Sequence, residues 1–246
     1  MVKLGIIQTS SFSSNEQGIQ KVSELLKKLG KKETDIVCLP EQWLHNNKIS
    51  EFESEFSNFK IIAKDYGMTI IPGAFYEHRN RRLTISSPVI APNGEVVGRQ
   101  EKIHPFDYEK QLIQSDRKTK IFKTKCKFGI VICYDMVFPE VARSFVKKGA
   151  DVLFSPSRIV RRGIIPWQMY IQVRALENRV PILAANVQNR KFGGKSVIVD
   201  LIEKNQVMIP KILVEMSGHK EISKKFNLKK YHKSRKIRFS DSKKVS

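Results

Sequence analysis

The chain has 246 residues, of which 41% are hydrophobic and 28% charged, as is ordinary for a folded globular protein. No apolar run reaches the roughly 18 residues that a membrane span needs, and no cleavage site follows the short apolar stretch near the N-terminus. We therefore expect a cytoplasmic protein that does not enter a membrane.

The first half of the chain alternates apolar runs with amphipathic segments. Apolar residues at helical spacing predict a first helix capped by Ser14 or Asn15, and Gly67 is expected to end the second helix. Strands are expected at 2–8, 35–39 and 68–75, and helices at 15–32 and 50–66.

The second half of the chain begins with a hairpin signal. The residues Pro92-Asn93-Gly94 lie between two apolar runs and are typical of a tight turn. Further strands are expected at 83–90, 96–100, 128–132, 152–154, 181–186, 196–200, 207–209 and 212–215, and further helices at 139–148 and 167–178. Strands that alternate with helices indicate a layered α/β domain, and the hairpins make its sheets mixed.

The formal net charge of +21 is unevenly distributed. Residues 219–246 contain eleven Lys and Arg but only two acidic residues. We expect one domain at 1–218, followed by a basic C-terminal tail at 219–246. Such a tail could contact nucleic acid, although a solvated lysine-rich surface is the plainer interpretation.

The cysteine and histidine content excludes several classes of site. Cys38, Cys126 and Cys133 are too scattered for a disulfide framework, and the five histidines lack metal-ligand spacing. We expect no cofactor and no metal, which leaves a cofactor-free enzyme or a binding protein.

Three predicted strand ends carry reactive side chains. They are Glu41 in IVCLPEQWL, Lys102 in GRQEKIHPF and Cys133 in GIVICYDMVFPE. Each has a plain structural explanation, as a solvated carboxylate, a surface lysine or a packed thiol. In open α/β sheets, however, catalytic groups collect beyond the ends of strands.

The order and spacing of these three residues resemble the nitrilase or carbon–nitrogen hydrolase superfamily, in its amidase-like branch. LGIIQTS, LPEQWL, EKIHPF, GIVICYDMVFPEVAR and RALENRVPILAAN resemble its sequence blocks, so the resemblance covers about residues 2–216. It implies an α-β-β-α sandwich, with two mixed β-sheets between helical layers. It also implies a homodimer or a larger homo-oligomer.

The resemblance implies a role for each residue that matches the motif. Cys133 would be the nucleophile, Glu41 the general base and then acid, and Lys102 the stabiliser of the oxyanion. Glu109, seven residues after Lys102, would be a second carboxylate. The backbone N–H of Tyr134 is a reasonable further donor to the oxyanion.

The substrate-binding residues are harder to predict. Arg158, Arg161 and Arg162 follow the strand VLFSPS and could pair with a substrate carboxylate, although a solvated basic loop also explains them. Trp167 is expected to be a packing anchor rather than a platform for substrate.

These observations favour a hydrolase that cleaves a small linear amide, in the manner of an ω-amidase, and releases ammonia. An N-carbamoyl amine is an alternative substrate, because the same attack would serve it. A non-catalytic basic scaffold for nucleic acid is a second alternative. A cysteine–histidine hydrolase using His104 is a third, but it leaves Glu41 and Lys102 without a role.

Overall fold

The computed structural model of the protein describes residues 1–79 and 81–241. Its strands form two mixed β-sheets. The strands are β1 Val2–Gln8, β2 Ile36–Cys38, β3 Lys48–Ile49, β4 Thr69–Ile71, β5 Phe75–Arg79, β6 Arg82–Ile90, β7 Val96–Glu101, β8 Phe122–Lys123, β9 Lys127–Ile130, β10 Val152–Pro156, β11 Ile182–Ala185, β12 Val197–Lys204, β13 Val207–Glu215 and β14 Lys220–Phe226. The first sheet has the order β14-β1-β2-β4-β6-β5-β3, with β7 paired to β6, and the second has the order β13-β12-β11-β10-β9-β8.

Helices cover the outer faces of both sheets. Helices α1 and α3 share a core with the first sheet, and α5 and α6 pack on the second. Among the described residues, none of the helices combines the length and apolarity that crossing a bilayer takes. The helices are α1 Asn15–Lys31, α2 Phe52–Glu55, α3 Ser57–Tyr66, α4 Glu109–Leu112, α5 Pro139–Lys147, α6 Ile164–Asn178 and α7 His232–Asp241.

The alternation of side chains in β1 and β2 explains why these strands read as continuous apolar runs. Leu4 and Cys38 point into the core shared with the second sheet, whereas Ile7 and Val37 point toward the helices. All four are fully buried, because a strand between two layers has no solvated face. The predicted α-β-β-α sandwich with two mixed sheets is confirmed.

The predicted helix at 50–66 is divided in two. Phe56 is its breaking point, with φ −103° and ψ 20°, between α2 and α3. The Phe56 side chain is fully buried, and its ring lies 4.6 Å from that of Phe52 and 5.3 Å from that of Phe75. Burial of this aromatic group therefore overrides the helical periodicity.

The predicted strand at 68–75 is also divided, at Pro72 and Gly73. Gly73 has φ +112°, and a Cβ atom there would lie 2.1 Å from the carbonyl oxygen of Pro40. Only glycine fits such a close approach. The turn places β5 in a different position of the sheet from β4 and brings Ala74 beside Glu41.

Around Pro210, two elements that were predicted separately are joined. The sequence predicted two short strands there, one on each side of the proline. The structure has one strand, β13, which runs through Pro210 opposite Leu201. A proline has no N–H to donate, but β13 is the edge of its sheet, where a donor can be spared.

The basic segment predicted as a tail is built into the fold as far as Asp241. Strand β14 pairs antiparallel with β1, with Phe226 opposite Val2, and α7 follows it. Phe226 and Tyr231 are buried in the core between the layers. This placement corrects the expectation of a tail, because the lysine-rich segment forms a strand whose last residue, Phe226, is buried. Residues 242–246 lie outside the described residues.

Candidate active site

The three predicted catalytic residues converge on one cavity from three different strand ends. Glu41 follows β2, and its N–H donates to the carbonyl of Ser157 in the other sheet, at 3.2 Å. Lys102 directly follows β7, and its N–H donates to the carbonyl of Ile85 at 2.7 Å. The site is therefore built on backbone that the sheets already hold in place.

Lys102 lies between two carboxylates. Its Nζ is 2.8 Å from Glu41 Oε1 and 2.8 Å from Glu109 Oε2, and all three residues are at most 3% exposed. Glu109 also accepts a hydrogen bond from the N–H of Phe106, at 2.7 Å. The predicted second carboxylate is thus in contact with the lysine, on the short helix α4.

The electrostatics of this cluster keep Lys102 charged. Burial alone would lower the pKa of Lys102, but the adjacent Glu41, Cys133 and Glu109 raise it above its ordinary value. Burial raises the pKa of Glu109, an effect that Lys102 opposes and Glu41 reinforces. The two carboxylates and the thiol thus favour the charged form of Lys102, and burial favours the protonated form of Glu109.

Cys133 is in a strained position at the start of a turn. Its φ is +47°, a region that a residue other than glycine rarely adopts, and it begins the 3-10 turn Cys133–Val137. The thiol contacts Glu41 and the backbone N–H of Arg158. Burial and Glu41 raise the pKa of Cys133, and Lys102 and that N–H oppose the rise, so the resting thiol keeps its proton at neutral pH. Nucleophilic attack by Cys133 would require a base to remove this proton. Glu41 contacts the thiol and could serve as that base.

The other two cysteines have no such setting. Cys38 is fully buried in β2. Cys126 is half-buried beside β9, and burial, with Asp151 and Asp35, raises its pKa to about 12. Neither lines the cavity that holds Cys133.

Asp135 connects the cysteine turn to the lysine segment, a role that the sequence analysis missed. Its buried carboxylate accepts hydrogen bonds from the N–H of Ile103 at 3.0 Å and the N–H of His104 at 2.7 Å. The ring of His104 contacts the same carboxylate at 3.0 Å and stacks on Phe138 at 3.8 Å. The contacts of His104 are therefore structural. The sequence signal that could have indicated this role is the position of Asp135, an acidic residue inside an otherwise largely apolar run.

A cavity of about 600 Å³ opens beside the cluster of Glu41, Lys102, Glu109 and Cys133. Tyr134, Arg158 and Trp167 all line it, although Trp167 is only 4% exposed. Trp167 thus packs in the core, as expected, and also borders the cavity. Most of the remaining lining is apolar: Phe106, Tyr108, Met136, Val137, Ile159, Val160, Pro166, Tyr170 and Phe192.

Arg161 is not among the residues that line this cavity. Its guanidinium donates to the carbonyl of Arg190 at 2.9 Å and to that of Asn189 at 2.8 Å, which fixes the loop after β11. The expectation that Arg161 contacts substrate is corrected by this position. Arg158 and Arg161 have different environments because Arg158 lies before the 3-10 turn Arg161–Gly163, whereas Arg161 is the first residue of that turn.

Comparisons with known proteins agree with this architecture. The chain matches the family model for carbon-nitrogen hydrolases over residues 3–203. It is 26% identical to the omega-amidase NIT2 of Xenopus tropicalis over 204 residues, which are 75% of this chain and 74% of that protein. It is 31% identical to a nitrilase of Pyrococcus abyssi over 218 residues, which are 80% of this chain and 81% of that protein.

The fold of a solved structure matches over almost the full length. The carbon-nitrogen hydrolase from Helicobacter pylori G27 gives a TM-score of 0.84 at 21% identity, covering 99% of this chain and 94% of that one. With the sandwich fold and the extent of the family match, these comparisons show that the chain belongs to the carbon-nitrogen hydrolase family, within the nitrilase superfamily.

Proposed function

We propose that this carbon–nitrogen hydrolase cleaves a small linear amide through an acyl-enzyme on Cys133 and releases ammonia, as an ω-amidase does. One observation carries the proposal: a buried ammonium between two carboxylates lies in the same cavity as a strained thiol that contacts one of them. The names of the relatives, which include an omega-amidase, support amide hydrolysis.

The first half of the reaction uses Glu41 as a base and then as an acid. Glu41 takes the proton of the Cys133 thiol as sulfur attacks the amide carbon, and the carbonyl oxygen becomes an oxyanion. The Lys102 ammonium and the backbone N–H of Tyr134 are the donors assigned to that oxyanion. Glu41 then gives its proton to the amide nitrogen, so ammonia leaves and a thioester remains.

The second half uses the same groups on water. Glu41 takes a proton from the water that attacks the thioester carbon, and the Cys133 sulfur leaves and regains a proton. The products are a carboxylic acid and free enzyme. Glu109 acts through Lys102, since its carboxylate holds the ammonium in place and helps to balance its charge.

The proposal is tested by measuring ammonia release from a panel that contains a linear amide, an N-carbamoyl amine and a nitrile. We expect release from the amide and its loss in Cys133→Ala, because no other thiol lines the cavity. Cys126→Ala is the matched control and should retain activity, since this thiol lies elsewhere. Activity that survives in Cys133→Ala, or activity confined to the carbamoyl amine or the nitrile, would refute the proposal.

A further inference from the structure

The carboxylate of Asp135 joins the two sheets beside Cys133. Cys133 follows β9 of the second sheet and Lys102 follows β7 of the first, so only tertiary contacts can fix the distance between them. Asp135 lies in the turn that Cys133 begins, and it is 1% exposed. Its two oxygens accept from the N–H groups of the two residues directly after Lys102, Ile103 at 3.0 Å and His104 at 2.7 Å.

This attachment fixes orientation as well as separation, because each oxygen of the carboxylate binds a different N–H. The backbone of Asp135 is also bound inside its own turn. Its N–H donates to the carbonyl of Ile132 at 2.9 Å, and its carbonyl accepts from the N–H of Phe138 at 3.2 Å. The turn around Cys133 and the backbone after Lys102 are therefore held together through this one residue.

Hydrogen-bond donors, and not a lysine or arginine, hold the charge of Asp135. Among the ion pairs of the described residues, its contact is the ring of His104 at 3.0 Å. A buried carboxylate with an N–H on each oxygen makes strong charge-assisted hydrogen bonds. An amide in its place would turn a donor toward one of these N–H groups, so that tie would be lost.

Asp135 acts at a distance from any bound molecule. Neither Asp135 nor the two residues that it binds line the cavity. Both donors assigned to the oxyanion are nevertheless next to this tie in the chain. Tyr134 lies between Cys133 and Asp135 in the turn, and Lys102 directly precedes the two bound N–H groups.

From these contacts we propose that Asp135 is a positioning residue for the oxyanion site. It sets where the Lys102 ammonium and the Tyr134 N–H stand relative to the Cys133 sulfur. This inference rests on the proposed function, because it concerns the oxyanion of that reaction. A shift of about 1 Å in such a group lowers the rate by about 10²-fold.

The first test is the turnover of butyramide by Asp135→Asn, which keeps the shape of the side chain. We expect kcat to fall by about 10- to 100-fold, because the oxyanion donors are displaced. KM should change by less than about 3-fold, because the cavity lining is unaltered. Asp135→Ser, whose hydroxyl oxygen accepts from one N–H, should show the same pattern and serves if the asparagine variant does not fold.

Two reagents separate the oxyanion site from the thiol. With butyraldehyde, the Cys133 sulfur bonds to the aldehyde carbon and the thiol proton moves to the aldehyde oxygen, giving a hemithioacetal with no leaving group. This adduct carries an oxygen where the oxyanion forms. With methyl methanethiosulfonate, the sulfur takes the CH₃S group, methanesulfinate leaves, and the thiol proton passes to water, so no oxyanion forms.

We expect Asp135→Asn to be labelled by the thiosulfonate at Cys133 within about 3-fold of the wild-type rate, as located by peptide mass spectrometry. The butyraldehyde concentration that halves this labelling should rise by about 10- to 100-fold. A merely structural role would change the labelling as much as the protection, because a distorted turn displaces the sulfur too.

Glu77→Gln is the matched control. Glu77 is also a buried carboxylate, bound by the hydroxyl of Ser86 and by Nε of Arg99 at 3.2 Å, but it lies on β5 and does not line the cavity. Turnover, labelling and protection should stay within about 2-fold of the wild type. Losses as large as those of Asp135→Asn would overturn the inference.

The aldehyde measurement also separates this inference from the proposed function. It needs only the thiol and the oxyanion donors, so weaker protection of Asp135→Asn is expected even if no amide is cleaved, in which case the proposed function fails alone. Equal protection of the wild type and Asp135→Asn, or thiol labelling that falls as far as the protection, would overturn the inference.

Discussion

Lys102 is the residue on which the charge balance of the site depends. Removing an ammonium from water is expensive, and the cost is offset here by two carboxylates, each 2.8 Å away. The buried negative charges of Glu41 and Glu109 are in turn stabilised by the Lys102 ammonium. A change at Lys102 therefore leaves the carboxylates of Glu41 and Glu109 buried without a positive charge beside them.

We predict that Lys102→Met removes activity and stability together. Loss of an oxyanion donor should lower kcat by about 10²–10³-fold. The two unpaired carboxylates should lower the free energy of unfolding by about 3–5 kcal/mol, measured by urea denaturation at pH 7.

Lys195→Met is the control for that prediction. Lys195 pairs with Glu215 at the same 2.8 Å, but both side chains are well exposed, so its loss should change stability by no more than about 1 kcal/mol. Near-normal ammonia release by Lys102→Met would show that the ammonium is not part of the catalytic group.

At the scale of elements, the C-terminal helix α7 fastens the ends of the two helices that cover the second sheet. Arg235 donates to the carbonyl of Ala150, after α5, at 3.1 Å and to that of Arg179, after α6, at 3.2 Å. Arg179 is the C-cap of α6, where the helix carbonyls carry partial negative charge, so the buried cation of Arg235 satisfies a carbonyl at that end.

We predict that Arg235→Met lowers the free energy of unfolding by about 1–3 kcal/mol, because these carbonyls lose their donor in a buried place. Thermal and urea unfolding both report this loss. The exposed neighbour Lys236→Met should change stability by less than about 0.5 kcal/mol. Equal stability of the two variants would mean that α7 is only loosely attached.

Part of the fold and part of the site could be predicted from the sequence. Strands such as β1 and β2 were predictable because burial on both faces leaves an unbroken apolar run. Glu41, Lys102 and Cys133 were recognisable by type, order and spacing. Their roles remain predictions.

The rest depends on partners that are distant in sequence. In sequence, strand β14 resembles a basic tail because three of its seven residues are lysines. Only its pairing with β1 shows that it is a strand, with Phe226 buried at its end. Arg158 and Arg161 look equivalent in sequence, yet one lines the cavity and the other binds a loop. Sequence position alone does not carry this information.

At the scale of the whole molecule, the sandwich brings together strand ends that are up to 92 residues apart, from Glu41 to Cys133. The N–H of Glu41 bonds across to the second sheet, so movement of one sheet against the other would disrupt the site.

Self-association stays a prediction. Ile165, Met169 and Val173 form an exposed apolar stripe on α6 where a second copy would gain by packing.

The most direct test of the account is the mass of the protein during turnover. The enzyme is mixed with excess amide, quenched with acid within milliseconds to seconds, and analysed by intact-mass and peptide mass spectrometry. The account predicts one added acyl group, located on Cys133 and absent from Cys133→Ala. An acyl group on Cys38 or Cys126, or continued turnover by Cys133→Ala, would contradict it.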